Sequence, residues 1–463
     1  MTSAAEVVGL LPAEIVSLQP DDRAAHARDM SAAALLERRR GHQPAGPEVV
    51  VRPRSVDDVA AVVRAAQSAG VPVVPRGGGS GVSGGVVADE GIVLDLREMN
   101  RVLDIDESSL TVTVEAGISG PELAGELARN GYTLGHEPQS LSVSTVGGWI
   151  ATRACGQLSA GYGGIEDLLV GLEAVLPDGR IVSARPTTRR STGPELADLM
   201  IGAEGTLGVV TRATLRIRRM PEERVDMCFR FESMEQGLDD ARVLAQTDLR
   251  PVLLRLYDRD DAALFWLSYP DPPGGPILLA SFEGSFAEQR AERAAELVGG
   301  QELSRDVVAY WRAHRNDALE SYLQLMAGQG PLGAHALVDT MEVSAVWKDI
   351  PTAYAELKGA LGSVADIAAC HLSHVYPEGA CLYFVLASAC ADESAAQTTY
   401  ARWWEVGMGK ALEVGAAISH HHGVGRLKAR WLPAEIGGWW DVLRAVKKEL
   451  DPKGIMNPGA LGL

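Results

Sequence analysis

Apolar residues along this chain come in short runs, and the spacing between runs predicts alternating strands and helices. PEVVVRP (47–53) and VPVVP (71–75) are β-branched runs of strand length. Between them SVDDVAAVVRAAQSAG repeats its apolar positions at a helical period. Ser55 is placed to cap that helix, Asp57 and Asp58 lie in its first turn, and Gly70 closes it. GIVLDL and LTVTVEAG read as further strands, followed by the helix GPELAGELARNG, which Gly131 ends. In LLVGLEAVLPDGRIVSA the PDG is a turn between strands, and GTLGVVTRATLRIRR reads as another strand pair.

Near residues 220–224 the texture changes. From residue 225 to about 416, strand-like PVLLRLYD, GPILLASFEG and CLYFVLA are separated by long helical stretches such as SFAEQRAERAAELVGG, which predicts a second domain on its own sheet. Residues 1–45 mix alanine with charged residues and read as a helical appendage. Residues 417–463 hold three consecutive histidines, the apolar helix GGWWDVLRAVKKELD and the tail PKGIMNPGALGL.

At 463 residues the chain exceeds one compact core, so two or three domains are expected. With 46% apolar and 22% charged residues it has the profile of a globular protein. A net charge of −18 leaves no basic surface for nucleic acid or anionic lipid, so an anionic ligand must be held locally. The five cysteines are scattered without CxxC spacing, and reduced thiols are the simplest state. No stretch of eighteen apolar residues occurs, and the first residues lack a basic leader pattern; a cytoplasmic protein without a membrane span is expected. The expected partner is a small-molecule substrate, and a homodimer stays open.

PRGGGSGVSGG (75–85) formally contains a GxGxxG pattern. A dinucleotide fingerprint leads directly into a helix, whereas a turn and a strand follow here, so that reading fails. Six glycines in eleven positions still need a reason. Consecutive backbone N–H groups in such a loop form a concavity for an anion, which would suit a pyrophosphate in an acidic protein.

Two more clusters lie downstream, HEPQSLSVSTVGGWIATRACGQLSAGYGG (136–164) and STGPELADLMIGAEGTLGVVT (191–211). The order PRGGGSG, STVGGWIATRACG, GAEGTLGVVT and a C-terminal NPG resembles the PCMH-type FAD-binding flavoproteins of the vanillyl-alcohol oxidase superfamily. Within it, GHEPQS, GIEDLLVGLEAVLPDG, RRSTGPE, SHHHGVG and HVYPEGACLYF are most similar to the alkylglycerone-phosphate synthases (alkyl-dihydroxyacetone-phosphate synthases). The resemblance implies an α+β chain: a two-part FAD-binding domain (46–224), a cap domain with an antiparallel sheet (225–416), and a segment (417–463) that packs on the FAD domain and returns the histidines to the active site. It implies that Pro75, Arg76, Gly77, Gly78, Gly79, Ser80 and Gly81 hold the pyrophosphate. Pro138, Ser144, Thr145, Gly147, Gly148, Thr152, Gly156 and Ser159 would line the flavin, and Glu204, Gly205 and Val210 would approach adenine and ribose. Members that tether FAD covalently often carry a histidine in the first loop; Gly79 and Ser80 stand there, so a non-covalent FAD is expected.

On a strand, His420 and His422 would share one face and could bind metal with His371 or His374. In the metal-using 2-hydroxy-acid dehydrogenases, however, the second histidine of HxGDGNxH and the glutamate of EHG are present, and both are lost here, which points to no metal. The resemblance instead makes Tyr383, His420, His421 and His422 the catalytic group, with His374 near the substrate. Imidazole titrates near neutrality, and a phenol can donate to a developing oxyanion. The synthases also place an arginine where this chain has Gln324, or Gly328 by gap-free counting. Loss of a guanidinium disfavours a phosphorylated substrate unless Arg312 or Arg315 replaces it. The expected function is an FAD-dependent oxidoreductase that passes a hydride from a small, non-phosphorylated organic substrate to flavin N5. The alternative is the synthase's redox-neutral acyl-to-alkyl exchange through a flavin–substrate adduct. A metal-assisted hydrolase and a non-catalytic flavin binder are the remaining classes.

Overall fold

A computed structural model of the chain describes residues 4, 7, 9, 11–42 and 44–463. The rest of the helical appendage expected over 1–45 lies outside the described residues. Two compact units emerge: Met1–Ala154, Gly164–Arg219 and His421–Leu463 form one, and Cys155–Gly163 with Met220–His420 form the other.

In the first unit a small sheet joins Val49–Val51, Ile92–Asp95 and Val73–Arg76 in parallel, with Val16–Ser17 antiparallel at its edge. Parallel strands need a crossover, and Val56–Ala69 carries the chain from Val49–Val51 to Val73–Arg76 on the other side of Ile92–Asp95. Ser55 Oγ accepts the Asp58 N–H at 3.2 Å, and Gly70 ends the helix at φ +72°. Ser55→Ala should therefore cost about 1 kcal/mol of stability, read from denaturant unfolding of this unit; no loss would refute the cap.

A second, antiparallel sheet orders Val102–Asp106, Thr111–Glu115, Val209–Arg216, Leu169–Val175 and Ile181–Ala184. The Pro177-Asp178-Gly179 turn joins the last two, with Gly179 at φ +79°. GTLGVVTRATLRIRR is not a hairpin: Val209–Arg216 enters this sheet, while Arg218–Arg219 pairs with Tyr132–Thr133. Trp439–Leu450 is amphipathic rather than apolar. Trp439 is 72% exposed, and the buried Lys447 ammonium donates to Asp451 and to the Thr206 and Met456 carbonyls.

The second unit is built on one seven-stranded antiparallel sheet, ordered Gln301–Glu302, Arg224–Arg230, Ile277–Glu283, Leu253–Tyr257, Ile367–Val375, Gly379–Ala389 and Ala336–Val346. Met234–Ala245, Ala287–Leu297 and Ile350–Gly362 pack on it. The α+β class and the antiparallel cap sheet are thus as expected. Among the described residues no helix is long and apolar enough to cross a membrane.

Candidate active site

The glycine loop leaves the end of Val73–Arg76 and is held by close backbone packing. A Cβ on Gly78 would stand 1.8 Å from the Val143 carbonyl oxygen, and one on Gly77 would stand 2.1 Å from Thr145 Oγ1. Glycine is required here for close approach rather than for dihedral freedom. Thr145 caps Val146–Thr152 by accepting the Gly148 N–H at 3.4 Å, and Gly147 N–H donates to the Ala116 carbonyl at 2.7 Å. Ser144 Oγ accepts from Trp149 Nε1 at 2.8 Å, and Thr152 Oγ1 donates to the Gly148 carbonyl at 2.9 Å. Pro138 is buried one turn upstream, its carbonyl taken by Leu141 N–H at 2.9 Å.

The Arg76 guanidinium folds beneath Gly79, whose added Cβ would meet Nη2 at 2.3 Å. Its Nε is buried with no partner among the described residues, and burial pulls its pKa down. A loop whose Gly77 to Gly81 N–H groups donate no backbone hydrogen bond among the described residues, with a buried guanidinium Nε left unpaired below it, fits a pyrophosphate. Pro75, Gly77 to Gly81 and Arg76 are the residues that would hold it.

Glu204 and Gly205, expected near adenine and ribose, also brace neighbouring backbone. The Glu204 carboxylate accepts the N–H groups of Val424 (2.7 Å) and Gly425 (2.9 Å), and its carbonyl accepts from Asn457 Nδ2. Gly205 stands at φ +74°, where a Cβ would press on Pro75 at 3.0 Å. Val210 is buried opposite Ala174 in the sheet. Glu204 is thus a clamp on the loop that carries His421 and His422. That loop also lies on the far half of the glycine loop: Ser83 Oγ donates to the His422 carbonyl at 2.9 Å, and Leu427 N–H to the Ser83 carbonyl at 3.0 Å. The His421 and His422 rings meet edge to face at 4.4 Å.

Burial lifts the Glu204 carboxyl to about 7, from 4.5. A carboxyl raised on folding contributes stability that is fully present below its unfolded pKa and lost as pH climbs through its folded one. The melting midpoint should therefore fall from about pH 5 to about pH 8 by more in the native protein than in Glu204→Gln. Calorimetry showing equal falls would refute this.

In the second unit the register lines up one polar rung across four strands: Tyr257, His371, Tyr383 and Glu342 face one another in turn. Directly opposed residues share a sheet face. Tyr383 stacks on His371 at 4.8 Å and 19°, and burial pushes its phenol up. His371 bonds Asp261 through Nδ1 and Arg255 through Nε2; burial, then the Arg255 charge, lower it to about 4, so it is a neutral ring near neutrality.

A β-bulge between Leu372 and His374 resets the next rung. Without it Ser373 would face Cys381; with it His374 does. His374 Nδ1 then lies 2.7 Å from Ser159 Oγ, and its ring stacks on His420 at 4.9 Å. His420 is held by its own N–H on Glu342, which also accepts from Ser419 Oγ at 2.9 Å. Tyr376 OH reaches His420 Nε2 at 3.1 Å.

Several expectations change here. His420 to His422 lie in an irregular loop, so the two-residue alternation assumed for them does not hold. Gly156 and Ser159 belong to the second unit, where the Gly156 carbonyl accepts from Ser159 N–H and the Ser159 hydroxyl serves His374. Gln324 is exposed on Ala318–Met326 and bonds Glu320 of its own helix. Gly328 stands at φ +76°, with a Cβ position 2.6 Å from the Ala334 carbonyl oxygen, so no arginine fits there. Arg312 grips Asp226 with two nitrogens at 2.6 and 2.7 Å, and Arg315 bonds Gln157. Tyr376 and Glu342 escaped the sequence reading. A step of two from His374 lands on Tyr376, and Glu342 is one of two carboxylates, with Asp339, inside the mostly apolar strand ALVDTMEVSAV.

An FAD-binding domain family matches residues 47–185, and the C-terminal domain of FAD-linked oxidases matches 220–461. An alkyldihydroxyacetonephosphate synthase of Trypanosoma brucei brucei is 32% identical over 91% of this chain and 74% of its own length. The uncharacterized FAD-linked oxidoreductase YgcU of Escherichia coli is 31% identical over 90% of this chain and 89% of its own. A solved alkyldihydroxyacetonephosphate synthase shares the fold, with a TM-score of 0.79 at 24% identity over 98% of this chain and 85% of that one. On these domains and relatives, the chain belongs to the FAD-linked oxidases and is an FAD-dependent flavoenzyme.

Proposed function

We propose that the protein is an FAD-dependent oxidoreductase that oxidises the hydroxyl of a small, non-phosphorylated organic substrate, with FAD held non-covalently. The observation that carries the substrate class is the fate of the arginine position. Gln324 is turned to its own helix, Gly328 admits no side chain, and Arg312 is spent on Asp226. A phosphate monoester would lack the planar two-nitrogen donor that usually receives it there.

FAD, once bound, supplies a hydride acceptor at its N5. The chain's own residues supply the rest. Residues 46–224 carry the cofactor, 225–416 form the cap, and 417–463 supply the histidine run. His420, fixed by Glu342, takes the hydroxyl proton, and the Tyr383 phenol donates to the oxygen as its charge develops. A phenol held up by burial stays protonated near neutrality and so keeps an O–H to donate, which suits that part. Gly79 and Ser80 offer no nucleophilic ring for a covalent tether.

The second reading, redox-neutral acyl-to-alkyl exchange, is favoured by the retained SHHHGVG. Mass spectrometry of products formed with an artificial electron acceptor separates the two. A product lighter than the substrate by two hydrogens supports oxidation, whereas exchanged chains with the acceptor untouched would overturn it.

A further inference from the structure

The second unit holds a polar chain that the proposed oxidation leaves unused beyond His420. His374 Nδ1 lies 2.7 Å from Ser159 Oγ, Ser159 Oγ lies 3.5 Å from Tyr376 OH, and Tyr376 OH lies 3.1 Å from His420 Nε2. The two imidazoles at its ends are stacked at 4.9 Å and 21°. Ser159 is 3% and His374 5% exposed, so water does not compete freely for these links.

Counting protons constrains what such a chain can hold. Its three links need three protons, and each link has one donor. The serine and tyrosine hydroxyls supply two. The third must come from one end, so one of His374 Nδ1 and His420 Nε2 carries a proton and the other accepts. Both directions satisfy every link, because each hydroxyl donates and accepts once either way. Two protonated ends would leave a hydroxyl without an acceptor in the chain.

We propose that His374, Ser159, Tyr376 and His420 form a relay that shares one proton between two imidazoles and carries away the proton released from the substrate hydroxyl. This rests on the oxidoreductase reading for its input, but its wiring does not. In the step, the substrate O–H bond breaks and its proton bonds the far nitrogen of His420. The Nε2 proton moves to Tyr376, the Tyr376 proton to Ser159, and the Ser159 proton to His374 Nδ1, so that the proton taken up at His420 reappears as one positive charge on the His374 ring. No electrons travel along the chain, since the pair from the substrate C–H bond leaves as hydride. Tyr376 and Ser159 are positioning residues, and the 3.5 Å step between them is the longest link. The Cys155 thiol, 3.5 Å from Tyr376 OH, is a side branch.

Nitrogen NMR of the FAD-loaded protein labelled in its histidine rings reads the wiring directly, with signals assigned by their loss in His374→Gln and His420→Gln. At neutral pH, His374 Nδ1 and His420 Nε2 should be of opposite type, one bearing a proton and one bare. Tyr376→Phe should shift the His374 Nδ1 signal although the phenol touches the other ring, and Ser159→Ala should shift His420 Nε2. Two nitrogens of the same type, or variants that disturb only the adjacent ring, would overturn the relay. If the ends are complementary but no alcohol reduces the flavin, the relay stands and the oxidation reading falls. If the flavin is reduced but the ends are not complementary, the relay falls alone.

Discussion

Gly78→Ala should strip the protein of most of its flavin. The new methyl would sit 1.8 Å from the Val143 carbonyl oxygen, 2.8 Å from its carbon and 3.1 Å from Ser144 Cα. All three are backbone atoms, so no side-chain rotation relieves the clash. Overpacking of this kind costs about 1 to 3 kcal/mol even in adaptable cores. Here relief requires the loop to lift away from the Ser144-Thr145 segment, which opens the concavity itself. Since about 1.4 kcal/mol is tenfold in affinity, FAD content should fall to roughly a tenth or less of the native level. Gly125→Ala is the control: it lies in the helix Gly120–Arg129, outside the loop, with its Cβ position in ordinary contact with Arg129 Nη1 at 3.7 Å, and flavin should be retained. The ratio of visible to ultraviolet absorbance of the purified variants decides this, and a fully loaded Gly78→Ala protein would refute the cradle.

The second large effect separates chemistry from cofactor binding. Tyr383→Phe and His420→Ala should each keep native FAD content while the rate of flavin reduction by substrate falls about 100-fold or more, the scale for loss of an acid or base. Both residues lie in the second unit, whereas the glycine loop belongs to the first. Tyr383→Phe keeps the ring that stacks on His371 and removes only the hydroxyl. Native reduction rates in both variants would move the chemistry elsewhere.

How much of this was legible in the sequence depended on range. Local signals read well: Ser55 and Gly70 bound their helix, Gly131 stands at φ +78° past the helix Gly120–Arg129, and the PDG turn joins two strands. The glycine loop was legible as a place of close backbone approach because six glycines cannot be explained by propensity, and Gly77 and Gly78 have no room for a Cβ. Long-range partners were not. Nothing near Glu204 in sequence announces that its carboxylate will pin Val424 and Gly425, some 220 positions away. Ser159 sits among flavin motifs, yet its hydroxyl is drawn to His374 by the fold. The bulge at Ser373 is equally silent: a single extra residue turns His374 toward the Cys381 rung, and strict alternation would have placed Ser373 there instead. The histidine run misled because a two-residue period was assumed for a loop that has none.

The most direct measurement is the visible spectrum of the FAD-loaded protein before and after anaerobic mixing with a panel of alcohols, 2-hydroxy acids and acyl-dihydroxyacetone phosphate. The oxidised flavin band should bleach with an alcohol or hydroxy acid and return on admission of an electron acceptor, with a carbonyl product recovered. Bleaching by the acylated phosphate alone, without a net redox product, would contradict the oxidation of a non-phosphorylated hydroxyl.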